Sequence, residues 1–182
     1  LFSTINDYER NMPEVLQLRL AQLRGLDADA ENHLVELLKA MPKPETAKAL
    51  IRNIADACLE LLVQQEFPSG IIDSKWVSDW KSNGKLNNSE NDREILASKV
   101  PRRRGGGMRL LSLLHDEETA GKAKSRRSTF ILLQTVFSGG NFGLHATELG
   151  EPVPRGFVSA ICSVAVELLH QVKEDTAPKA AS

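Results

Sequence analysis

The sequence has little of what several classes of protein require. Two of its 182 residues are cysteine, which is too few for a disulfide scaffold or a structural zinc site. Both, Cys58 and Cys162, lie in apolar helical patterns, where a small buried side chain in a reducing compartment is the usual interpretation. No apolar run approaches the ~20 residues of a membrane-spanning helix. Residues 1–4 lack the basic region followed by an apolar segment that begins a secretory signal. These absences predict a cytoplasmic, soluble protein without a membrane partner.

Charge is nearly balanced overall but unevenly distributed. The chain has 23 Lys and Arg against 24 Asp and Glu, whereas residues 99–127 hold nine basic groups and three acidic ones. A concentrated positive charge attracts a phosphate backbone because binding releases condensed counterions. The sequence therefore predicts nucleic-acid contacts in this basic loop, and an equally open alternative is a solvated loop without a ligand. The candidate binding residues are Arg102, Arg103, Arg104, Lys122 and Lys124.

The hydrophobic pattern is typical of an all-α protein. Apolar residues recur at helical spacing after Pro44, which predicts a helix reaching beyond Leu62. Similar patterns predict two helices before residue 42, one from Ser128 through Phe137, and a last one after Pro154. No stretch has the strict alternation of a half-buried strand. We expect a bundle of five to seven helices.

Residues 66–107 read as an irregular insertion in this bundle. Trp76 and Trp80 are four residues apart and predict a short helix, with core packing favoured over base stacking. A second short helix is expected around Ile95. The run from Pro101 to Gly107 is expected to be non-helical, since three successive glycines lose much backbone entropy in a helix.

One histidine has neighbours that suggest chemistry. Asn141 precedes His145 by one helical turn, which places both side chains on the same helix face. Gly139, Gly140 and Gly143 remove bulk from that turn, so another backbone, a subunit or a substrate can approach closely. The residues alone favour a structural interpretation over a functional one: glycines let two helices pack, and an Asn–His hydrogen bond holds them together. The other histidines and the cysteines lack the spacing of a metal site, so we expect neither a metal nor another cofactor.

The segment from about residue 128 to 173 resembles the end of a HEPN domain. The resemblance rests on the apolar helix of residues 130–137, the Gly-Asn-x-x-x-His motif of residues 140–145 and the apolar helix of residues 157–172. HEPN domains are small helical bundles, many of them from abortive-infection, toxin–antitoxin and other prokaryotic defence systems. Ribonucleases of the family have an arginine followed four to six residues later by a histidine, often with asparagine directly after the arginine. In this chain the residue before Asn141 is Gly140.

The chain length predicts a single domain, which we assign as HEPN-like over residues 1–175, and the last residues predict a flexible tail at 176–182. The resemblance implies a domain that acts on or binds RNA, a homodimer, and possible protein partners in a defence or toxin–antitoxin system. Because residue 1 is Leu rather than Met, a longer parent chain is compatible with the sequence.

Metal-independent RNA cleavage needs a proton carrier and a cation near the scissile phosphate. His145 suits the first role because its ordinary pKa lies near ~6.5, and Asn141 suits the orientation of its ring. With glycine at the motif position, the cation would come from Arg126, Arg127 or Arg155, or from the Arg102–Arg104 cluster. Two alternatives stay open: a non-enzymatic adaptor or dimerisation domain, and a nucleic-acid-binding regulator that uses residues 99–127.

Overall fold

The computed structural model describes residues 44–119, 121–148 and 155–177, so the first two predicted helices and most of the predicted tail lie outside the described residues. Within these ranges the protein is helical and has no β-strand, which confirms the all-α prediction. A single turn of 3₁₀-helix covers Glu117–Thr119. The α-helices are α1 (Pro44–Glu66), α2 (Ser74–Ser82), α3 (Arg93–Leu96), α4 (Arg104–Leu114), α5 (Arg127–Glu148) and α6 (Arg155–Thr176).

The long helices begin where the sequence predicts. Helix α1 starts at Pro44, because proline at the first helical position loses no hydrogen bond and has a backbone angle that suits the helix. Helix α5 starts at Arg127, one residue before the predicted cap. Helix α6 starts at the residue that follows Pro154 in the sequence.

The chain divides into two compact units. The first unit comprises residues up to Cys58 together with Leu132–Glu174, and the second comprises Leu59–Ile131 together with the residues from Asp175 onward. Segment 66–107, predicted as an irregular insertion, belongs to the second unit and contains α2 and α3.

In the first unit, two glycines of α5 bring helices together. A Cβ atom on Gly139 would lie 2.8 Å from Ile161 Cδ1 of α6, and one on Gly140 would lie 3.4 Å from the Arg52 Cα of α1. These glycines therefore allow close helix packing, as the structural interpretation of the motif requires. The buried apolar residues of the unit include Ile54, Cys58, Leu133, Val136, Ala165, Leu168 and Val172.

In the second unit, two chain segments are joined by an isolated antiparallel bridge between Ile71 and Lys99. The Ile72 N–H donates to the Ser98 carbonyl at 3.1 Å, and the Val100 N–H donates to the Gly70 carbonyl at 3.2 Å. Ser98 itself has a φ of 56°, a left-handed conformation that reverses the chain after α3. The apolar core of this unit includes Leu62, Ile72, Trp80, Ile95, Leu110, Leu111 and Leu114.

The prediction that residues 101–107 are non-helical was wrong for the glycines. Helix α4 begins at Arg104 and includes Gly105, Gly106 and Gly107. A Cβ atom on Gly106 would lie 2.5 Å from Pro101 Cβ, and one on Gly107 would lie 3.4 Å from the Leu59 side chain. Close packing with these neighbours compensates the entropy that three glycines lose, and such tertiary contacts outweigh intrinsic propensity.

Candidate nucleic-acid interface

Three consecutive arginines lie at the start of α4, and all three are exposed. Arg103 is the N-cap residue, with φ −84° and ψ 143°, and its side chain makes no capping hydrogen bond. The first turn of α4 contains no acidic residue. Cations at this end of a helix are disfavoured by the helix dipole, and the first N–H groups have no partner within the helix. The start of α4 therefore concentrates positive charge where helix stability alone would favour an acid.

The backbone below these arginines is held in place. The Arg102 N–H donates to Glu94 Oε2 at 2.8 Å, and the Arg103 guanidinium forms an ion pair with Glu90. Both side chains of that pair are about two-thirds exposed, at 67% and 65%, so water screens the interaction and it stabilises the fold little. The backbone is thus anchored while the charged groups remain accessible to an anion.

Lys122 and Lys124 of the predicted interface also make contacts within the protein. Lys124 Nζ donates to the Gln65 carbonyl at 2.8 Å and to the Glu66 carbonyl at 3.2 Å. These are the last two carbonyls of α1, so Lys124 caps that helix. Lys122 Nζ lies 5.5 Å from the centre of the Trp76 ring, within the range of a cation–π interaction.

Glu66, His115 and Ser125 form a buried polar cluster. His115 and Ser125 belong to the basic loop of residues 99–127, and Glu66 is the last residue of α1. The Glu66 carboxylate accepts hydrogen bonds from the Lys124 N–H at 2.7 and 2.9 Å and from the Ser125 N–H at 2.9 Å. The Ser125 hydroxyl donates to Glu66 Oε1 at 3.0 Å, and His115 Nε2 lies 3.1 Å from the same hydroxyl oxygen. Since the hydroxyl gives its one proton to Glu66, Nε2 of His115 must be the donor. The serine proton thus points away from the imidazole, opposite to the arrangement that activates a nucleophile.

The His115 ring stacks on Phe130, with centroids 4.8 Å apart and an angle of 7° between the planes. His115 is the C-cap residue of α4, and no motif in the sequence predicts its place in this cluster. One feature of the sequence indicates the cluster. Glu66 is an acid at the C-terminal end of α1, where the helix dipole disfavours negative charge. Donors from elsewhere in the chain explain why it is tolerated there.

Burial lowers the pKa of His115 below its ordinary value of 6.5, against the raising effect of Glu66. Arg127 lowers the pKa further, and Asp175 raises it. The folded state therefore favours the neutral imidazole, and the unfolded state binds more protons as the pH falls below the ordinary value.

We expect the free energy of unfolding to decrease between about pH 7.5 and about pH 5.5, and to decrease less in His115→Gln. Glutamine keeps an N–H donor for Ser125 but does not titrate. Urea denaturation at both pH values measures the difference between the two proteins. An equal decrease in both would show that His115 does not contribute to the pH dependence.

The candidate cations for catalysis have different environments. Arg126 Nε donates to Asp175 Oδ1 at 2.6 Å, and the Arg126 N–H donates to Asp175 Oδ2 at 3.0 Å. The Thr129 hydroxyl donates to the same carboxylate at 2.6 Å, so Arg126 belongs to a structural ion pair. Arg127 is exposed at the first position of α5. The side chain of Arg155 lies outside the described residues.

The two candidate catalytic residues belong to α5 and to the first unit. Asn141 and His145 are four residues apart within α5. Asn141 is partly buried, and the side chain of His145 lies outside the described residues. No local pattern indicates that Arg52, 88 positions before Gly140 in the chain, lies against that glycine.

Of the five residues predicted to bind nucleic acid, only Arg102, Arg103 and Arg104 form one run of neighbouring exposed cations. No group of three or more metal-ligating side chains occurs among the described residues. Within the same ranges, none of the helices combines the length and apolar character needed to cross a bilayer. No family model matches the chain, and no curated protein and no solved structure is significantly similar to it.

Proposed function

We propose that this protein binds the phosphate backbone of RNA through the exposed arginines at the start of α4, and that it is a HEPN-like domain without the motif arginine. The observation that carries the proposal is the run Arg102–Arg104 at a helix start that has neither a capping side chain nor an acid. The resemblance of residues 128–173 to HEPN domains favours RNA over other polyanions.

Charge distribution supports the same surface. The second unit has 14 Lys and Arg against 11 Asp and Glu, while the first has 9 against 13. A polyanion is therefore attracted to the second unit and repelled by the first. Arginine suits phosphate because its planar guanidinium offers two parallel N–H donors.

The proposal is for binding rather than cleavage. Arg126 is paired with Asp175, and Gly140, at the motif arginine position, is buried against Arg52. Residue 140 therefore supplies no guanidinium, and the guanidinium of Arg126 is engaged by Asp175. A HEPN-like domain that lacks the motif arginine and has exposed arginines at the start of α4 is consistent with RNA binding as an adaptor or regulator.

The test is a titration of fluorescently labelled RNA, read by anisotropy at several salt concentrations. We expect Arg102→Gln/Arg104→Gln to bind roughly tenfold to thirtyfold more weakly at 0.1 M salt. We also expect the slope of log K against log salt to become shallower by about 1.4, since each lost phosphate contact removes ~0.7 for a single strand. The matched control is Lys75→Gln/Lys81→Gln, which removes two exposed cations of α2.

Equal weakening in both variants would mean that net charge, rather than the start of α4, governs binding, and the proposal would be wrong. Affinity that does not depend on salt would contradict it as well. The same mixtures are examined on a gel: if the RNA is cut and His145→Ala stops the cutting, the protein is a nuclease and binding alone does not describe it.

A further inference from the structure

Ile71 is an exposed isoleucine that is paired with a residue of the basic loop. Ile71 is 64% exposed, and its backbone is paired with Lys99 through the antiparallel bridge. The hydrogen bonds of Ile72 and Val100 on either side of this pair fix the two segments in register. Residues directly opposite in such a pair have neighbouring side chains on one face. Ile71 therefore presents an apolar group next to the ammonium-bearing side chain of Lys99.

The paired segment leads directly into the arginines. Arg102 is three positions after Lys99 in the chain, so their Cα atoms are at most ~11 Å apart. The left-handed turn at Ser98, with φ 56°, and the hydrogen bond from the Arg102 N–H to Glu94 hold this stretch at both ends. Ile71, Lys99 and the arginines are thus close together in the second unit, within the length of a few nucleotides.

We propose that this surface, formed by Ile71, Lys99 and Arg102–Arg104, selects single-stranded RNA over duplex RNA. The inference rests on the proposed function and adds the form of the RNA. Lys99 and the arginines contact phosphates, and Ile71 packs against the face of an unstacked base. In a duplex the base faces are stacked on one another and the A-form grooves expose only edges and hydroxyls. A contact with a base face is therefore open only to a single strand, and it tolerates any sequence because every base has such a face.

The experiment compares a labelled single-stranded RNA with a duplex that contains the same strand, using three proteins. These are the unaltered chain, Ile71→Ser, and the matched control Ile131→Ser, whose isoleucine is also in the second unit and is 52% exposed. We expect the unaltered chain to bind the single strand more tightly than the duplex. Ile71→Ser should lose about threefold to tenfold in single-strand affinity and leave duplex affinity unchanged, whereas Ile131→Ser should match the unaltered chain.

The results separate the inference from the proposed function. If neither RNA binds, both are wrong. If RNA binds with the expected salt dependence but the single strand has no advantage, or Ile71→Ser weakens both RNAs equally, only the inference is overturned. An equal loss in Ile131→Ser would also overturn it, because the effect would then not belong to this surface. Circular dichroism of the two serine variants shows whether each remains helical.

Discussion

Replacing Glu66 with alanine is expected to destabilise the protein by about 3 kcal/mol or more. The carboxylate is buried, at 8% exposure, and accepts from the Lys124 N–H, the Ser125 N–H and the Ser125 hydroxyl. Alanine leaves these donors without an acceptor, and each buried donor without a partner costs about 1–3 kcal/mol. Urea denaturation measures the loss.

The same helix offers a control for this prediction. Glu60 is exposed on α1, so Glu60→Ala removes the same side chain without breaking a buried network, and its effect should stay within about 0.5 kcal/mol. Glu66→Gln should fall between the two because the amide retains one carbonyl acceptor. If Glu66→Ala and Glu60→Ala unfold at the same urea concentration, the cluster does not anchor the basic loop.

The second large effect is expected at Gly106. A Cβ atom there would lie 2.5 Å from Pro101 Cβ and 3.1 Å from Pro101 Cγ, and a proline ring has little freedom to move. Forcing a methyl group into a packed contact costs about 1–3 kcal/mol, which exceeds the gain of up to ~1 kcal/mol that alanine brings to a helix. Gly106→Ala should therefore lower the free energy of unfolding despite its better helix propensity.

The neighbouring glycine gives the opposite expectation. A Cβ atom on Gly105 would meet the Asn91 Oδ1 at 2.7 Å, but this is the end of an exposed side chain that can rotate away. Gly105→Ala should thus stabilise the protein by about 0.5–1 kcal/mol. The midpoints of thermal unfolding of Gly105→Ala and Gly106→Ala test the contrast. If both midpoints shift in the same direction by a similar amount, contact with Pro101 does not destabilise Gly106→Ala.

The sequence predicts best the long helices that have a proline at or just before their first residue. Pro44 begins α1 and Pro154 precedes α6 in the chain, and their apolar residues repeat with a helical period. The start of α4 could not be predicted in the same way. Local propensity opposes a helix at Gly105–Gly107, and the contacts with Pro101 and Leu59 that favour it depend on the folded chain.

The candidate interface was also only partly predictable from local sequence. The excess of basic residues in 99–127 is visible in the sequence, but the sequence does not distinguish cations that face solvent from those that hold the fold. Lys124 caps α1, and Arg126 is paired with Asp175. Their partners lie 59 and 49 positions away in the chain, beyond the reach of any local pattern.

The sequence by itself determined the class of fold and the location of positive charge, because helix periodicity and charge are properties of neighbouring residues. Only the tertiary structure decided that the glycines of α4 are helical and that Glu66 and Ser125 form a buried network with His115. It also decided that Arg102–Arg104 are exposed, that Lys122 contacts Trp76 and that Lys124 caps α1. The physical reason is that burial, and contacts between residues far apart in the chain, exist only once the chain has folded.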